Sequence, residues 1–164
     1  MLFELKSVFL NDGETKEQTY QLDISHIDVD GFFPFKSPVA VTAVAHNRAS
    51  LVTLTLDCSF DYRRSCDRCG EGQTLAVRKS FSHKLAQTLI DEGNDDYIET
   101  PDFTLELDEV VITDILLSLP QKFLCREDCK GLCPHCGKNL NHGDCGCDKR
   151  QIDPRLEKLK QLME

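Results

Sequence analysis

Cysteine is concentrated in the C-terminal part of this 164-residue chain, where six of the nine cysteines lie within the 23 residues 125–147. The motif Cys133-Pro-His-Cys136-Gly137 places two thiolates across a tight turn, and its glycine lets backbone N–H groups point back at the sulfurs, as in a zinc knuckle. About sixty residues earlier, Cys66-Asp-Arg-Cys69-Gly70 repeats this pattern. Clustered thiols of this kind indicate a metal site more strongly than they indicate disulfide bonds.

Eight cysteines are the candidate ligands for one or two Zn²⁺ ions: Cys66, Cys69, Cys125, Cys129, Cys133, Cys136, Cys145 and Cys147. Closed four-thiolate sites are usually structural, because they leave no position for water or substrate. The simplest single site joins the two knuckles, as in a zinc ribbon, through Cys66, Cys69, Cys133 and Cys136. A rival site uses four of the six cysteines in residues 125–147, and spacing alone does not choose between these arrangements. Cysteines are in surplus, so we expect His135 and His142 to stay outside the coordination sphere.

Other uses of the cysteines fit the sequence less well. Four thiolates also suit an iron–sulfur cluster, which only the identity of the bound metal would exclude. A redox pair at Cys66 and Cys69 would need a helix N-terminus to lower a thiol pKa, whereas this motif lies between two predicted strands. Six reduced free thiols in a hydrophilic stretch would be liable to oxidation. No catalytic motif is present, so we expect neither an enzyme nor a small-molecule substrate.

The first half of the chain predicts β-structure. In residues 52–62 apolar and polar side chains alternate strictly, which indicates a strand with one buried face and places Cys58 in the core. A second strand at about 73–83 predicts a hairpin with the first knuckle at its tip. Shorter strands are predicted over residues 3–10, 20–24, 39–45 and 103–107.

Helices are predicted only in the second half of the chain. The first runs from Asp108, its N-cap, to about Leu119, where Pro120 ends it. The second is a short amphipathic helix starting at Pro154. Residues 91–102 are acidic and rich in turn-forming residues, which predicts a mobile loop.

The predicted fold class is α+β: an antiparallel β-sheet or partly open barrel with few helices and a cysteine-rich, zinc-binding C-terminal segment. Residues 1–118 would form the β-rich body with one helix. Residues 119–164 would form a cysteine-rich tail that ends in the short helix and packs on the body.

The net charge of −9 is unevenly distributed, with −11 in residues 1–118 and +2 in residues 119–164. An acidic chain of this kind is unsuited to coating nucleic acid, although a basic island surrounds the first knuckle. The N-terminus lacks the basic and apolar regions of a signal peptide, and no stretch approaches the roughly 20 apolar residues of a membrane span. We therefore expect a cytoplasmic protein with no membrane partner.

The tail also carries a long motif, residues 124–141, in which Cys125, Cys129, Cys133 and Cys136 are followed by Lys138-Asn-Leu-Asn141. Cys145-Gly-Cys147 and Asp153-Pro154-Arg155 follow it, and Leu119-Pro120 precedes it. Together with the first knuckle, this pattern resembles the YceD family of large ribosomal RNA subunit accumulation proteins over roughly residues 50–164. The resemblance implies a non-enzymatic factor in ribosome biogenesis that supports accumulation of large-subunit ribosomal RNA and contacts that RNA or its precursor.

Two modes of action remain open from the sequence. In the first, cations around the first knuckle contact RNA phosphates, and the candidates are Arg63, Arg64, Arg68, Arg78 and Lys79. Tyr62 could stack on a base, but its place in the apolar stripe favours core packing. In the second, the protein is a zinc-stabilised interaction platform whose acidic segments recruit ribosomal proteins or processing enzymes.

Overall fold

The structure is a computed structural model that describes residues 1–88 and 96–147. Its strands and helices follow one another along the chain as β1 Leu2–Glu4, α1 Lys6–Leu10, β2 Thr15–Leu22, β3 Val39–Arg48, β4 Leu51–Ser65, β5 Gly72–Ala86, β6 Tyr97–Glu99, β7 Thr104–Glu106 and α2 Leu107–Ser118. Short 3₁₀ turns lie at Pro101–Phe103 and Leu140–His142. None of the helices in these two ranges is long and apolar enough to span a membrane.

The chain forms two compact units. We call residues 1–64 and 72–123 the body, and residues 65–71 with the residues from 124 onward the cysteine unit. The first knuckle, which connects β4 to β5, therefore belongs with the C-terminal cysteines rather than with the strands on either side of it. This division differs from the predicted one, which separated the tail from the body at residue 118 alone.

The body contains a five-stranded sheet in the order β2-β3-β4-β5-β6. Strands β2, β3 and β4 pair antiparallel, with Tyr20 opposite Val41 and Val41 opposite Cys58. The short strand β6 pairs parallel to residues 84–86 of β5. Strands β1 and β7 form a separate antiparallel pair. The predicted fold class, mostly sheet with few helices, is confirmed, and the parallel strand β6 is a feature that the sequence pattern did not indicate.

Alternating residues of β3 and β4 supply much of the apolar core, as the period-2 pattern predicts. Cys58 is only 2% exposed, which confirms its predicted place in this core. Burial raises the pKa of the Cys58 thiol to about 11, so this thiol stays protonated at neutral pH. Tyr62 is 1% exposed and packs edge-on against Phe123, with ring centroids 6.0 Å apart. Its predicted core role is confirmed.

The predicted strand over residues 3–10 is wrong in its second half, where the chain forms α1. Phe3 and Leu5 are buried with strand spacing, but the next buried residue is Val8, three positions after Leu5. That spacing places Leu5 and Val8 on one face of a helical turn. The N–H of Phe9 donates to the carbonyl of Leu5 at 3.0 Å, which closes the turn.

Helix α2 lies within one residue of its predicted position, but its predicted cap is wrong. Glu106 is the N-cap residue and makes no side-chain capping hydrogen bond, while Asp108 lies in the first turn. Acidic side chains in the first turn still stabilise the helix, because they lie near the positive end of its dipole. Leu107, Val111 and Ile115 form its buried face. The predicted helix from Pro154, and residues 91–95 of the predicted acidic loop, lie outside the described residues.

Asn47 joins α1 to the sheet through a buried hydrogen bond. Its side chain is on β3, where the residue is 2% exposed, and its amide donates to the carbonyl of Val8 at 2.8 Å. The backbone N–H of Asn47 donates to the carbonyl of Glu14 at 3.0 Å. The side-chain amide thus satisfies a carbonyl at the end of a helix too short to satisfy it internally.

We expect Asn47→Ala to lower the free energy of unfolding by about 1–3 kcal/mol, because it leaves the buried Val8 carbonyl without its donor. Urea denaturation of the purified protein measures this change. Asn11→Ala is the matched control, since the Asn11 amide donates to the Ser7 carbonyl at an exposed site. Equal effects of the two substitutions would contradict a special role for Asn47.

Candidate metal centres

The eight candidate cysteines come together in two groups of four. The first cluster is Cys66, Cys69, Cys125 and Cys129, and the second cluster is Cys133, Cys136, Cys145 and Cys147. Within each cluster, all four Sγ atoms lie within 4.8 Å of one another. Cys66 and Cys69 therefore meet Cys125 and Cys129, and not Cys133 and Cys136 as in the simplest single-site arrangement. The second cluster is local to the tail, as the rival arrangement required.

The sulfur spacing in the first cluster fits one tetrahedral metal ion. The Cys66 and Cys129 Sγ atoms are 3.8 Å apart, and the Cys69 and Cys125 Sγ atoms are 3.7 Å apart. Four sulfurs placed tetrahedrally at about 2.3 Å from a metal ion are separated by about 3.8 Å. A disulfide would bring its sulfurs to about 2.05 Å, and all nine cysteines are free thiols.

The same spacing bears on the iron–sulfur alternative. In a four-iron cluster each thiolate binds a different iron, which holds the cysteine sulfurs apart. Here the four sulfurs of each cluster lie within 4.8 Å of one another, which is close enough to bind one ion together. Each cluster could therefore hold one metal ion, and neither histidine ring belongs to a cluster among the described residues.

Both knuckles have the same backbone geometry. In the first, the N–H of Cys66 donates to the carbonyl of Glu71 at 2.9 Å, and the N–H of Gly70 donates to the carbonyl of Cys66 at 2.8 Å. In the second, the N–H of Cys133 donates to the carbonyl of Lys138, and the N–H of Gly137 donates to the carbonyl of Cys133, both at 2.9 Å. Gly70 and Gly137 have φ of +72° and +71°, a conformation that favours glycine. The repeated motif thus encodes a repeated turn.

Backbone N–H groups stabilise one thiolate strongly in each cluster. Burial alone would raise the pKa of Cys66, but the N–H groups of Cys125 and Cys69 that point at its sulfur bring its pKa to about 6. The N–H groups of Cys136 and His135 lower the pKa of Cys133 to about 6 in the same way. Metal ligation requires thiolates, and these lowered pKa values favour the ionised form of Cys66 and Cys133 that a metal ion would bind.

The two clusters differ in their exposure to solvent. In the first, only Cys125 is partly exposed, while its other three cysteines are buried. In the second, only Cys133 is buried, and Cys136 is exposed. Solvent and competing ligands therefore reach the second cluster more easily than the first.

Asn141 is a functional residue of the first cluster that the cysteine spacing could not reveal. Its amide nitrogen lies 3.3 Å from the Cys129 sulfur, and this contact lowers the pKa of Cys129. Its amide oxygen accepts hydrogen bonds from the backbone N–H of Lys130 at 2.9 Å and from the Arg126 side chain at 2.8 Å. Asn141 thus orients a ligand and fixes the loop that carries it, as groups around a metal site commonly do.

Gly131 lets the tail approach the first knuckle closely. Its φ is +74°, and a Cβ at this position would lie 3.0 Å from the carbonyl oxygen of Arg68. That carbonyl accepts a hydrogen bond from the N–H of Leu132 at 3.1 Å, and the Arg68 side chain donates to the carbonyl of Cys129 at 2.9 Å. A side chain at residue 131 would disturb the contacts that bring the halves of the first cluster together.

The five predicted RNA-contacting cations have different surroundings. Arg63, Arg68, Arg78 and Lys79 are exposed. Arg64 is held in the body, where its side chain is 15% exposed, donates to the carbonyl of Pro120 and lies over the Phe32 ring. RNA contact by all five residues stays a prediction.

We expect Asn141→Ala to weaken metal binding at the first cluster by about 10- to 100-fold, because Cys129 loses its supporting donor. Competition with a chromogenic chelator measures this affinity. His142→Ala is the control, since His142 is the exposed neighbour of Asn141 and its ring belongs to neither cluster. Unchanged affinity in Asn141→Ala would contradict the role given to the amide.

Comparisons with known proteins agree with the resemblance of the motifs. A family model described as Large ribosomal RNA subunit accumulation protein YceD matches residues 54–163. An uncharacterized protein of Mycobacterium tuberculosis is 34% identical over 103 residues, which cover 60% of this chain and 49% of that protein. The chloroplastic Large ribosomal RNA subunit accumulation protein YCED homolog 1 of Arabidopsis thaliana is 26% identical over 129 residues, or 60% of this chain and 40% of the plant protein.

The chain spans half the length or less of these curated relatives. No solved structure matches it. The family model covers most of the chain, including both knuckles and all eight clustered cysteines. The chain therefore belongs to the YceD family.

Proposed function

We propose that this protein supports accumulation of large-subunit ribosomal RNA by binding that RNA or its precursor, without catalysing a reaction on it. The observation that carries the proposal is the family match over residues 54–163, whose description names ribosomal RNA accumulation. The plant relative carries the same description in its name. A cytoplasmic location is part of the proposal.

We propose further that each cluster holds one Zn²⁺ ion in a structural role. Four thiolates with tetrahedral spacing suit zinc, and a closed set of four leaves no position for a substrate. When bound, zinc would cross-link residues 66–69 to residues 125–129 in the first cluster. The knuckles would then hold their loops in one conformation for recognition of a partner.

The proposed RNA contacts centre on the first knuckle. Arg63 and Arg68 lie within three residues of Cys66 and are exposed. The hydrogen bond from Arg68 to the carbonyl of Cys129 restricts the side chain, so less freedom is lost when it contacts a phosphate. Lys130 is also exposed, next to Cys129. Phosphate contacts of this kind provide affinity and position without reading the base sequence.

A protein-interaction platform is the second candidate, and the charge of the body favours it. Residues 1–64 and 72–123 contain 10 Lys/Arg and 19 Asp/Glu. An acidic surface of this kind attracts basic proteins, and ribosomal proteins are a natural class of partner in ribosome assembly. This candidate predicts protein partners that remain bound after nuclease treatment.

We expect the double variant Arg63→Ala/Arg68→Ala to bind large-subunit precursor RNA more weakly than the unsubstituted protein. Each lost phosphate contact reduces the slope of log affinity against log salt by about one, so the slope should fall by about two. Fluorescence anisotropy with labelled RNA fragments at several salt concentrations measures both quantities.

Lys6→Ala/Lys122→Ala is the matched control, because it removes two exposed cations of the body and changes the net charge equally. A metal assay should show that the arginine variant keeps its bound metal. Identical affinity and salt slope in the two double variants would rule out the proposed RNA surface.

A further inference from the structure

Strand β5 has a long edge that no described strand covers. It is hydrogen-bonded to β4 on one side, and on the other side β6 pairs only with its residues 84–86. Residues 72–83 therefore have no strand partner on that side within the described ranges. Exposed edges offer unpaired N–H and C=O groups, and proteins usually cover, shorten or charge them.

The side chains of β5 are also unusually exposed. Of its 15 residues only Leu85 is buried, whereas alternate residues of β3 and β4 are buried. Leu75 is 48% exposed, and Val77 and Phe81 are partly exposed. The first part of this strand therefore contributes less to the core of the body than its neighbours do.

The charge of β5 is opposite to that of the body. The strand contains Arg78, Lys79 and Lys84 and has no acidic residue, whereas the body as a whole is strongly acidic. Cations on an edge prevent pairing between identical copies, because two copies would bring like charges together. The same cations attract an acidic strand.

Two cavities lie beside Arg78 on the sheet. One of about 370 Å³ is lined by Thr42, Asp57, Ser59 and Arg78, among others. The other, of about 270 Å³, is lined by Ser37, Pro38, Ala76 and Arg78, among others. Both are lined by residues of β3 and β4 as well as β5, so they lie on a face of the sheet and not at the free edge. In strand addition, main-chain hydrogen bonds along the edge give affinity, and here the charge of Arg78 and its neighbours on β5 would favour an acidic partner.

We propose that residues 72–83 of β5 are a docking site at which an extended acidic segment of a partner protein adds to the sheet as a new strand. This inference goes beyond RNA binding and assigns Arg78 and Lys79 to a protein partner. The partner strand would lie along the same edge as β6. Arg78 and Lys79 face opposite sides of the sheet, so carboxylates on one face of the partner strand would lie near one of them, according to its register. It needs no change in the sheet of the body.

The first test uses the full chain and a blocked eight-residue peptide of alternating Glu and Val as the probe. We expect the peptide to slow amide hydrogen exchange within residues 72–83 and to bind with an affinity that falls as salt rises. A peptide of alternating Lys and Val should do neither. Equal protection by the two peptides, or no protection by the acidic one, would overturn the proposal.

The second test uses Arg78→Glu/Lys79→Glu, with Lys6→Glu/Lys122→Glu as the control of equal charge change. We expect the first variant to bind the acidic peptide at least about tenfold more weakly than the control, because like charges then face each other. Thermal unfolding should show that both variants fold. Equal binding by the two variants would overturn the proposal.

Parallel titrations with precursor RNA separate this inference from the proposed function. We expect Arg78→Glu/Lys79→Glu to lose peptide binding and to bind RNA as the charge control does, while Arg63→Ala/Arg68→Ala loses RNA binding alone. Should RNA, and not the peptide, protect residues 72–83 from exchange, the edge would belong to RNA and the proposal would be wrong.

Discussion

The bond between cysteine sulfur and a metal ion is the interaction on which we propose that the cysteine unit depends. Its buried residues, within the part that the structure describes, are four cysteines and Gly131. Apart from the cysteines, this part of the unit therefore has no buried apolar side chain to form a core. A segment this small cannot offset its conformational entropy by apolar burial alone. Structural zinc binding supplies apparent free energies of about 10–16 kcal/mol in small domains, which is enough to take the place of a core. The body has no such need, because its strands and α2 enclose a continuous apolar core.

Under the proposed function, the position of the first knuckle in the chain would let one metal centre support recognition of a partner. The residues between β4 and β5 belong to the cysteine unit. The long strand β4 therefore ends at the first knuckle, and the long strand β5 begins after it. A metal ion in the first cluster would fix this connection against residues 125–129. Arg68 lies within the knuckle, so a bound metal ion would hold its backbone in a closed turn. Recognition surfaces made of loops gain from such restriction, because less conformational entropy is lost on binding.

The sequence predicted features that depend on local pattern and missed those that depend on contacts between distant residues. Strict alternation in β4 identified the core face and Cys58, and the Cys-x-x-Cys-Gly repeats identified both knuckles. The pairing of the first knuckle with Cys125 and Cys129 did not follow from spacing, since it depends on close approach at Gly131. Asn141 was hidden for the same reason, because an asparagine twelve residues from its cysteine carries no sign of their contact. Helix α1 was missed because it has only five residues, too few for a helical spacing of apolar residues to stand out from the strand pattern before it.

We infer that the eight clustered cysteines form two independent four-thiolate metal centres. Native mass spectrometry of protein purified without added metal tests it most directly, because one spectrum gives both the stoichiometry and the mass of the bound metal. We predict two zinc ions in the unsubstituted protein, and one each in Cys69→Ser and Cys136→Ser, which change one cluster apiece. Absence of metal, a single ion, or loss of both ions from either variant would contradict the claim.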